Sequence, residues 1–120
     1  MASILIVDDE ETILKVTSEL LKYEGYEVHS ALNVAHAMAL LELNWIDLVL
    51  LDISMPRKDG TYLFSFIEEN MPSVKIIVYS GYELESHPEK ELIRKKADSF
   101  VCKGGKSSYL LKKIKQVLKS

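Results

Sequence analysis

The chain lacks most of the features that mark secreted and membrane proteins. It has one cysteine, Cys102, among 120 residues, so an internal disulfide is excluded and a reducing cytoplasm is the expected compartment. Its apolar runs are far shorter than the roughly 20 residues that span a bilayer, so we expect no membrane insertion. The opening residues, MASILIVDD, contain neither a basic stretch nor a small-residue cleavage site and do not resemble a signal peptide.

Several other classes of protein are disfavoured by what is missing. The net charge of −3 gives no general reason to expect direct nucleic-acid binding. The histidines, His29, His36 and His87, are scattered without the spacing of a transition-metal site. There is no linker, low-complexity segment or short repeat. The hydrophobic fraction of 48% and charged fraction of 28% are those of an ordinary globular protein, so we expect one domain over residues 1–120.

Five short aliphatic segments at even spacing predict β-strands. They cover residues 3–8, 27–31, 47–53, 74–80 and 98–103. The first, third and fourth are almost continuously apolar, which is typical of strands covered on both faces of a parallel sheet. A helical pattern follows each strand, the fourth beginning near Pro88 and the fifth near Ser107. This (βα)5 alternation predicts a doubly wound α/β fold with five parallel strands and helices on both faces.

The helical periodicity also predicts the faces that are buried. In the first helix, residues 10–24, we expect Ile13, Val16, Leu20 and Leu21 to face the core, and Gly25 to end the helix. Asn33 is a suitable cap for the second helix. In the later helices the expected inward residues are Ala37, Met38, Leu41, Leu63, Phe64, Ile67, Leu110, Leu111, Ile114, Val117 and Leu118.

Polar residues stand at the ends of four predicted strands. Asp8 and Asp9 end the first, Asp52 the third, Ser80 the fourth and Lys103 the fifth. Ligands of open α/β sheets bind outside these carboxyl ends. Two carboxylates about 5 Å apart repel by roughly 3 kcal/mol at an effective dielectric near 20, so three of them favour a bound cation or raised pKa values. Oxygen ligands suit Mg²⁺, and the lysine and hydroxyl suit a phosphoryl group on Asp52.

The acids after the first strand also have a simpler interpretation. Carboxylates at a helix N-terminus complement the helix dipole. For Glu10 and Glu11 we keep that structural role. For Asp8 and Asp9, the presence of the other strand-end residues favours metal binding.

The motifs IVDDE, LLDISMPRKDG, IIVYSG and SFVCK together resemble the receiver domain of two-component response regulators. Each motif alone is weak, but all stand in family order and spacing, and the resemblance covers essentially the whole chain. It implies a flavodoxin-like three-layer sandwich with strand order 2-1-3-4-5. It also implies a signalling domain, with no enzymatic activity beyond self-phosphorylation from small phosphodonors and autodephosphorylation.

The resemblance implies a role for each matched residue. Asp52 is the phosphoacceptor, supplied by a sensor histidine kinase or a phosphotransfer protein. Asp9, Asp52 and the backbone carbonyl of Ser54 bind Mg²⁺, for which Mn²⁺ could substitute, while Asp8 acts mainly through water.

Further matched residues imply phosphoryl binding and switching. Lys103 and Ser80 bind the phosphoryl oxygens, and Phe100 is the aromatic switch residue. Ser54 and Tyr82 occupy positions that tune the lifetime of the phosphoaspartate; we expect Tyr82 to shield it from water.

The family's output face is formed by the fourth helix, fifth strand and fifth helix. Here its candidate residues are Glu91, Arg94, Lys95 and Lys112. Their mixed charge suits a downstream protein target or a second copy of the chain.

The sequence departs from the family pattern at two places. Gly104 and Gly105 follow Lys103 where a proline is usual, which leaves the placement of Lys103 open to a different arrangement. Lys96 replaces a usual glycine.

Three other functions remain alternatives. A phosphatase with an aspartate nucleophile would need a second acid at position 54, which is serine. A flavin or nucleotide binder would need a phosphate-binding loop after the first strand, where this chain has acids. A receiver used only as an unphosphorylated scaffold is the third.

Overall fold

Five parallel strands form one sheet. The computed structural model describes residues 1–53, 59–81, 93 and 95–119. The strands are β1 (Ser3–Val7), β2 (Glu27–Ala31), β3 (Leu48–Leu51), β4 (Lys75–Ser80) and β5 (Ser99–Cys102). They pair in the order β2-β1-β3-β4-β5, and every pairing is parallel. The α/β fold and the strand order 2-1-3-4-5 are therefore confirmed.

Helices cover both faces of this sheet. They are α1 (Glu11–Tyr23), α2 (Val34–Leu43), α3 (Asp59–Asn70) and α4 (Ser107–Lys119), of which α4 is the fifth predicted helix. Most of the fourth predicted helix lies outside the described residues. At its end Ile93 is helical and buried, and its carbonyl accepts a hydrogen bond from the N–H of Ala97 (2.9 Å). Among the described residues, we find no helix of the length and apolarity needed to cross a membrane.

Local signals in the sequence set the helix boundaries. The side chain of Asn33 accepts a hydrogen bond from the N–H of His36 (2.8 Å), as expected of an N-cap. Gly25 has φ of +96° after the end of α1, a conformation that glycine adopts without strain. Gly25 therefore lies where the chain passes from α1 into β2, and Asn33 caps α2 after β2 has ended.

The sheet divides the hydrophobic core into two layers. One layer packs β-strand residues against α2 and α3 and includes Leu63, Phe64 and Ile67; the other packs them against α1 and α4 and includes Leu110 and Ile114. All residues of β1 and β3 are buried, as their continuous apolar character predicts. The sheet with its two helical layers is the predicted three-layer sandwich.

The predicted inward face of α1 is partly wrong. Val16 is 61% exposed, whereas Leu14, Thr17, Ser18 and Leu21 are buried. These four residues follow an i, i+3, i+4, i+7 helical spacing, and their stripe is rotated around the helix axis from the predicted one, with which it shares Leu21. Two of the four are small polar residues, which hydrophobicity alone does not select, although a small side chain lets the helix approach the sheet closely.

Candidate functional site

Backbone pairing fixes three polar residues just beyond the strand ends. Asp8 donates its N–H to the carbonyl of the last residue of β2 (3.1 Å), and Asp52 donates to the last residue of β1 (3.0 Å). Lys103 donates to the carbonyl of Ser80 (2.9 Å). Each residue thus extends the strand ladder by one position, and their side chains meet at the same edge of the sheet.

Asp52 lies at the centre of this group and is 2% exposed. One carboxylate oxygen, Oδ1, accepts a hydrogen bond from the hydroxyl of the fully buried Ser80 (2.8 Å). The other, Oδ2, accepts one from the ammonium of Lys103 (2.9 Å). The donors that we expected to bind a phosphoryl group therefore bind the Asp52 carboxylate itself in this structure.

Lys103 is shared among several acids. Its Nζ lies 2.7 Å from Asp8 Oδ2, 2.9 Å from Asp52 Oδ2 and 3.4 Å from Glu10 Oε1. Asp8 is buried and Glu10 is exposed, so the cation joins the interior of the site to its rim. Asp8 also accepts the N–H of Glu10 at Oδ1 (2.9 Å), which fixes the turn into α1.

Burial and proximity change the protonation equilibria of this site. The pKa of Asp8 is raised to about 6, mainly by desolvation and also by the charge of Asp52, while hydrogen bonds from Lys103 and from the Glu10 N–H oppose the increase. Burial of the Lys103 ammonium lowers its pKa, but Asp8 and Asp52 outweigh burial and raise it above its ordinary value. Asp8 therefore takes up a proton more readily than an ordinary aspartate, whereas Lys103 is held protonated.

The acids at the start of α1 fit a divalent cation. A carboxylate oxygen from each of Asp8, Asp9 and Glu10 lies within 4.8 Å of the others. Asp9 is exposed, so a hydrated ion can reach it. A donor set made only of oxygen, beside a buried carboxylate with a raised pKa, suits Mg²⁺.

The remaining predicted residues divide into two groups. Phe100 is partly buried and packs against the core layer of α2 and α3, while Lys95 and Lys112 are exposed. Outside the described residues lie four predicted residues: Ser54, Tyr82, Glu91 and Arg94.

Two residues have closer relations to the site than the sequence indicated. Glu10, to which we assigned only a helix-dipole role, contacts Lys103 across 93 positions of sequence. Gly60, in the first turn of α3, packs so closely that a Cβ atom there would lie 2.6 Å from the Asp52 carbonyl oxygen and from the Ile53 Cα. Two features of the sequence could have indicated these relations. Glu10 is a residue type that caps helices poorly, and Gly60 is a glycine at the start of a helix.

The loop after Lys103 differs from the family pattern for a backbone reason. Gly104 has φ of +85°, whereas a proline ring holds φ near −65°. Lys103 nevertheless reaches Asp8 and Asp52, so the glycine changes the loop without removing the lysine from the site. Lys96, the other departure, lies on the surface 3.6 Å from Glu68.

The fold and the site together define a flavodoxin-like α/β domain with a lysine-paired aspartate at the carboxyl end of its central strand. The chain belongs to the response regulator receiver domain family, whose pattern it matches over residues 4–115. Receiver domains are the regulated modules of two-component signal transduction.

Individual relatives support this membership. The chain is 32% identical over 120 residues to the transcriptional regulatory protein CpxR of Escherichia coli, covering 99% of this chain. A CheY-like receiver domain of Methanospirillum hungatei has a TM-score of 0.89 at 34% identity, covering 99% of this chain and 94% of that one. The response regulator TrrA of Thermotoga maritima, solved with Mg²⁺–BeF, has a TM-score of 0.85 at 35% identity, covering 98% and 99%. TrrA has also been solved in complex with the histidine kinase ThkA.

The chain spans only part of the curated relatives that it matches. It covers 50% of CpxR and 9 to 18% of several longer regulators and sensor kinases.

Proposed function

We propose that residues 1–120 form a single receiver domain in which Asp52 accepts a phosphoryl group. The observation that carries this proposal is the placement of Asp52: a buried carboxylate at the end of β3 with one oxygen bound by Ser80 and the other by Lys103. A buried carboxylate without such donors would be strongly disfavoured. The same two donors are the groups that phosphoryl oxygens require.

The transfer is a displacement at phosphorus. An oxygen of Asp52 forms a P–O bond while the P–N bond of a phosphohistidine breaks, and the imidazole keeps the electron pair. Lys103 balances negative charge on the phosphoryl oxygens, and the Ser80 hydroxyl donates a hydrogen bond to one of them. Positioning and charge neutralisation are the main requirements of phosphoryl transfer.

A divalent cation completes the charge balance of the proposed site. Mg²⁺, or Mn²⁺ in its place, would be held by Asp9, Asp52 and the Ser54 carbonyl, with Asp8 acting through water. When bound, it neutralises charge on the phosphoryl oxygens. TrrA, which has the same fold at 35% identity, was solved with Mg²⁺–BeF, and that supports the assignment.

Intact mass after incubation with acetyl phosphate tests the proposal. We expect the mass of one phosphoryl group to be added in the presence of Mg²⁺ and not in the presence of a chelator. Asp52→Ala should remain unmodified under both conditions. If the wild-type chain gains no phosphoryl group, the acceptor role is wrong and the unphosphorylated scaffold becomes the better interpretation.

The proposed partners are a sensor histidine kinase or phosphotransfer protein upstream, and a protein target or a second copy of the chain downstream. The TrrA–ThkA complex supports the first. For the second we propose the face that contains Glu91, Arg94, Lys95 and Lys112. Phosphorylation adds charge at Asp52, and Ser80 and Phe100 would transmit the resulting conformational change to that face.

Reversing the charge of Arg94 and Lys95 should weaken the phosphorylation-dependent contact, while an unchanged affinity for the partner would point to another face.

The lifetime of the phosphoaspartate is a separate property. We propose that Ser54 and Tyr82 tune it, and that Tyr82 limits access of water. Tyr82→Ala should therefore speed loss of the phosphoryl group, and an unchanged rate would contradict this role.

We also propose that this domain acts in the cytoplasm and does not itself bind nucleic acid or insert into a membrane. It has no catalytic role beyond self-phosphorylation and autodephosphorylation. The net charge of −3 supports the absence of nucleic-acid binding by this part of the protein.

A further inference from the structure

Glu10 has an unusual relation to the helix that it begins. It is the N-cap residue of α1, a position where serine, threonine, aspartate and asparagine are preferred, and its side chain makes no capping hydrogen bond. The side chain extends instead to Lys103, with Oε1 3.4 Å from Nζ. The position is therefore not explained by helix capping.

The contact places a carboxylate at the rim of the acceptor site. The Glu10 side chain is 61% exposed, whereas those of Lys103, Asp8 and Asp52 are 13%, 1% and 3% exposed. A phosphodonor that approaches Asp52 must bring its anionic oxygens toward Lys103. The Glu10 carboxylate already lies beside that ammonium group.

The Glu10 carboxylate makes the approach of an anion to Lys103 less favourable, because this edge of the sheet already carries more negative than positive charge. Among the described residues at this edge, one ammonium, Lys103, lies beside the carboxylates of Asp8, Asp52 and Glu10, and Asp9 is next to them. Asp8 and Asp52 are buried in contact with the lysine, so their charges belong to the site itself. The Glu10 carboxylate, by contrast, is exposed. Its side chain can therefore move away from Lys103 without exposing buried residues to solvent.

We infer that Glu10 is a positioning residue that restrains Lys103 and selects against anionic small phosphodonors. This inference rests on the proposed phosphoacceptor function and adds a specificity determinant to it. Glu10 occupies part of the hydrogen-bonding capacity of the ammonium group and repels phosphoryl oxygens that approach it. A partner protein can move or neutralise an exposed glutamate on docking, but a free small phosphodonor cannot.

The rate of self-phosphorylation measures this effect. At saturating Mg²⁺ and low salt, we expect Glu10→Gln to raise the rate with acetyl phosphate by about two- to fivefold, the range for one exposed ion pair. The increase should shrink at high salt because screening weakens interactions of exposed charges. It should also be smaller with phosphoramidate, which carries less negative charge than acetyl phosphate near neutral pH. A purely structural change would alter the rate of self-phosphorylation equally with both donors.

A binding measurement provides a readout independent of turnover. Beryllium fluoride is a stable stand-in for the phosphoryl group, and its affinity at saturating Mg²⁺ should increase by a similar factor in Glu10→Gln. The matched control is Glu11→Gln, which makes the same change in net charge. Glu11 is exposed in the first turn of α1 and, within the described part of the chain, pairs with no lysine.

The outcomes separate this inference from the proposed function. If the wild-type chain gains no phosphoryl group, the proposed function fails and this inference fails with it. If the wild-type chain is modified but Glu10→Gln has the same phosphorylation rate and beryllium fluoride affinity as the wild type, only the role of Glu10 is wrong. The same conclusion holds if Glu10→Gln and Glu11→Gln behave alike. A slower Glu10→Gln with weakened Mg²⁺ binding would make Glu10 a metal ligand and would also overturn the inference.

Discussion

Lys103 is the residue on which the site depends most directly. Its ammonium group lies between two buried carboxylates, and each of them would be costly to bury without a cation. The position follows from the end of β5, where its N–H pairs with the Ser80 carbonyl. The backbone after Lys103 affects the direction of its side chain. In this chain that backbone consists of glycines, where the family usually has a proline.

At Gly104 we expect substitution by alanine to destabilise the protein. The residue has φ of +85°, and a Cβ atom there would meet nothing within 4 Å, so the cost is backbone strain of about 1–2 kcal/mol and not a steric clash. Gly105→Ala is the matched control, because its Cβ would meet the Cys102 carbonyl oxygen at an ordinary 3.5 Å. Urea unfolding of both variants measures the difference, and equal free energies of unfolding would contradict the role assigned to Gly104.

At the scale of elements, the helix that follows the acceptor loop is fixed by close backbone packing. Gly60 in α3 lies against the backbone of Asp52 and Ile53 without room for a side chain. The structure places this glycine inside the first turn of the helix. Its conformation is helical, so the requirement for glycine comes from packing.

Gly60→Ala separates packing from helix propensity. Propensity alone would favour alanine in a helix by up to about 1 kcal/mol. The 2.6 Å approach to the Asp52 carbonyl and Ile53 Cα predicts the opposite: a loss of about 1–3 kcal/mol in the free energy of unfolding, with slower phosphorylation of a displaced Asp52. Ser65→Ala, at an exposed position of the same helix, is the control and should change neither property. A stabilised Gly60→Ala would show that the backbone yields easily.

The strands were more predictable than the helix faces for a physical reason. β1 and β3 are covered on both sides, so their burial requires continuous apolar residues and leaves one solution. A helix face depends on a rotation about the helix axis, and α1 offers two apolar stripes. The stripe that is buried includes Thr17 and Ser18, two small polar residues that hydrophobicity does not select. Local periodicity therefore favours the other stripe and places Val16 on the wrong side.

The same distinction holds for the site. Asp8, Asp52, Ser80 and Lys103 could be predicted because strand ends converge in any parallel sheet. The contact between Glu10 and Lys103 could not, because it depends on the direction of one exposed side chain at the start of α1.

At the scale of the whole molecule, the site exists only when the sheet is assembled. Asp8, Asp52 and Lys103 come from three strand ends that are far apart in sequence and meet through the pairings β1–β3, β3–β4 and β4–β5. An unfolded chain presents these carboxylates separately and has no equivalent cation site. Any ion that binds the assembled site therefore stabilises the folded state by mass action.

Mg²⁺ should accordingly raise the stability of the whole domain. At a free concentration about a hundredfold above Kd, the expected gain in the free energy of unfolding is about 2.7 kcal/mol. Asp9→Asn should lose most of this gain while folding normally, because Asp9 is exposed and belongs to the group of carboxylate oxygens within 4.8 Å of one another. Glu11→Gln, which removes a neighbouring charge outside that group, should retain it. Urea unfolding with Mg²⁺ and with a chelator gives the comparison for each protein. If Asp9→Asn gains as much stability from Mg²⁺ as the wild-type chain, the cation binds elsewhere and the assignment of Asp9 is wrong.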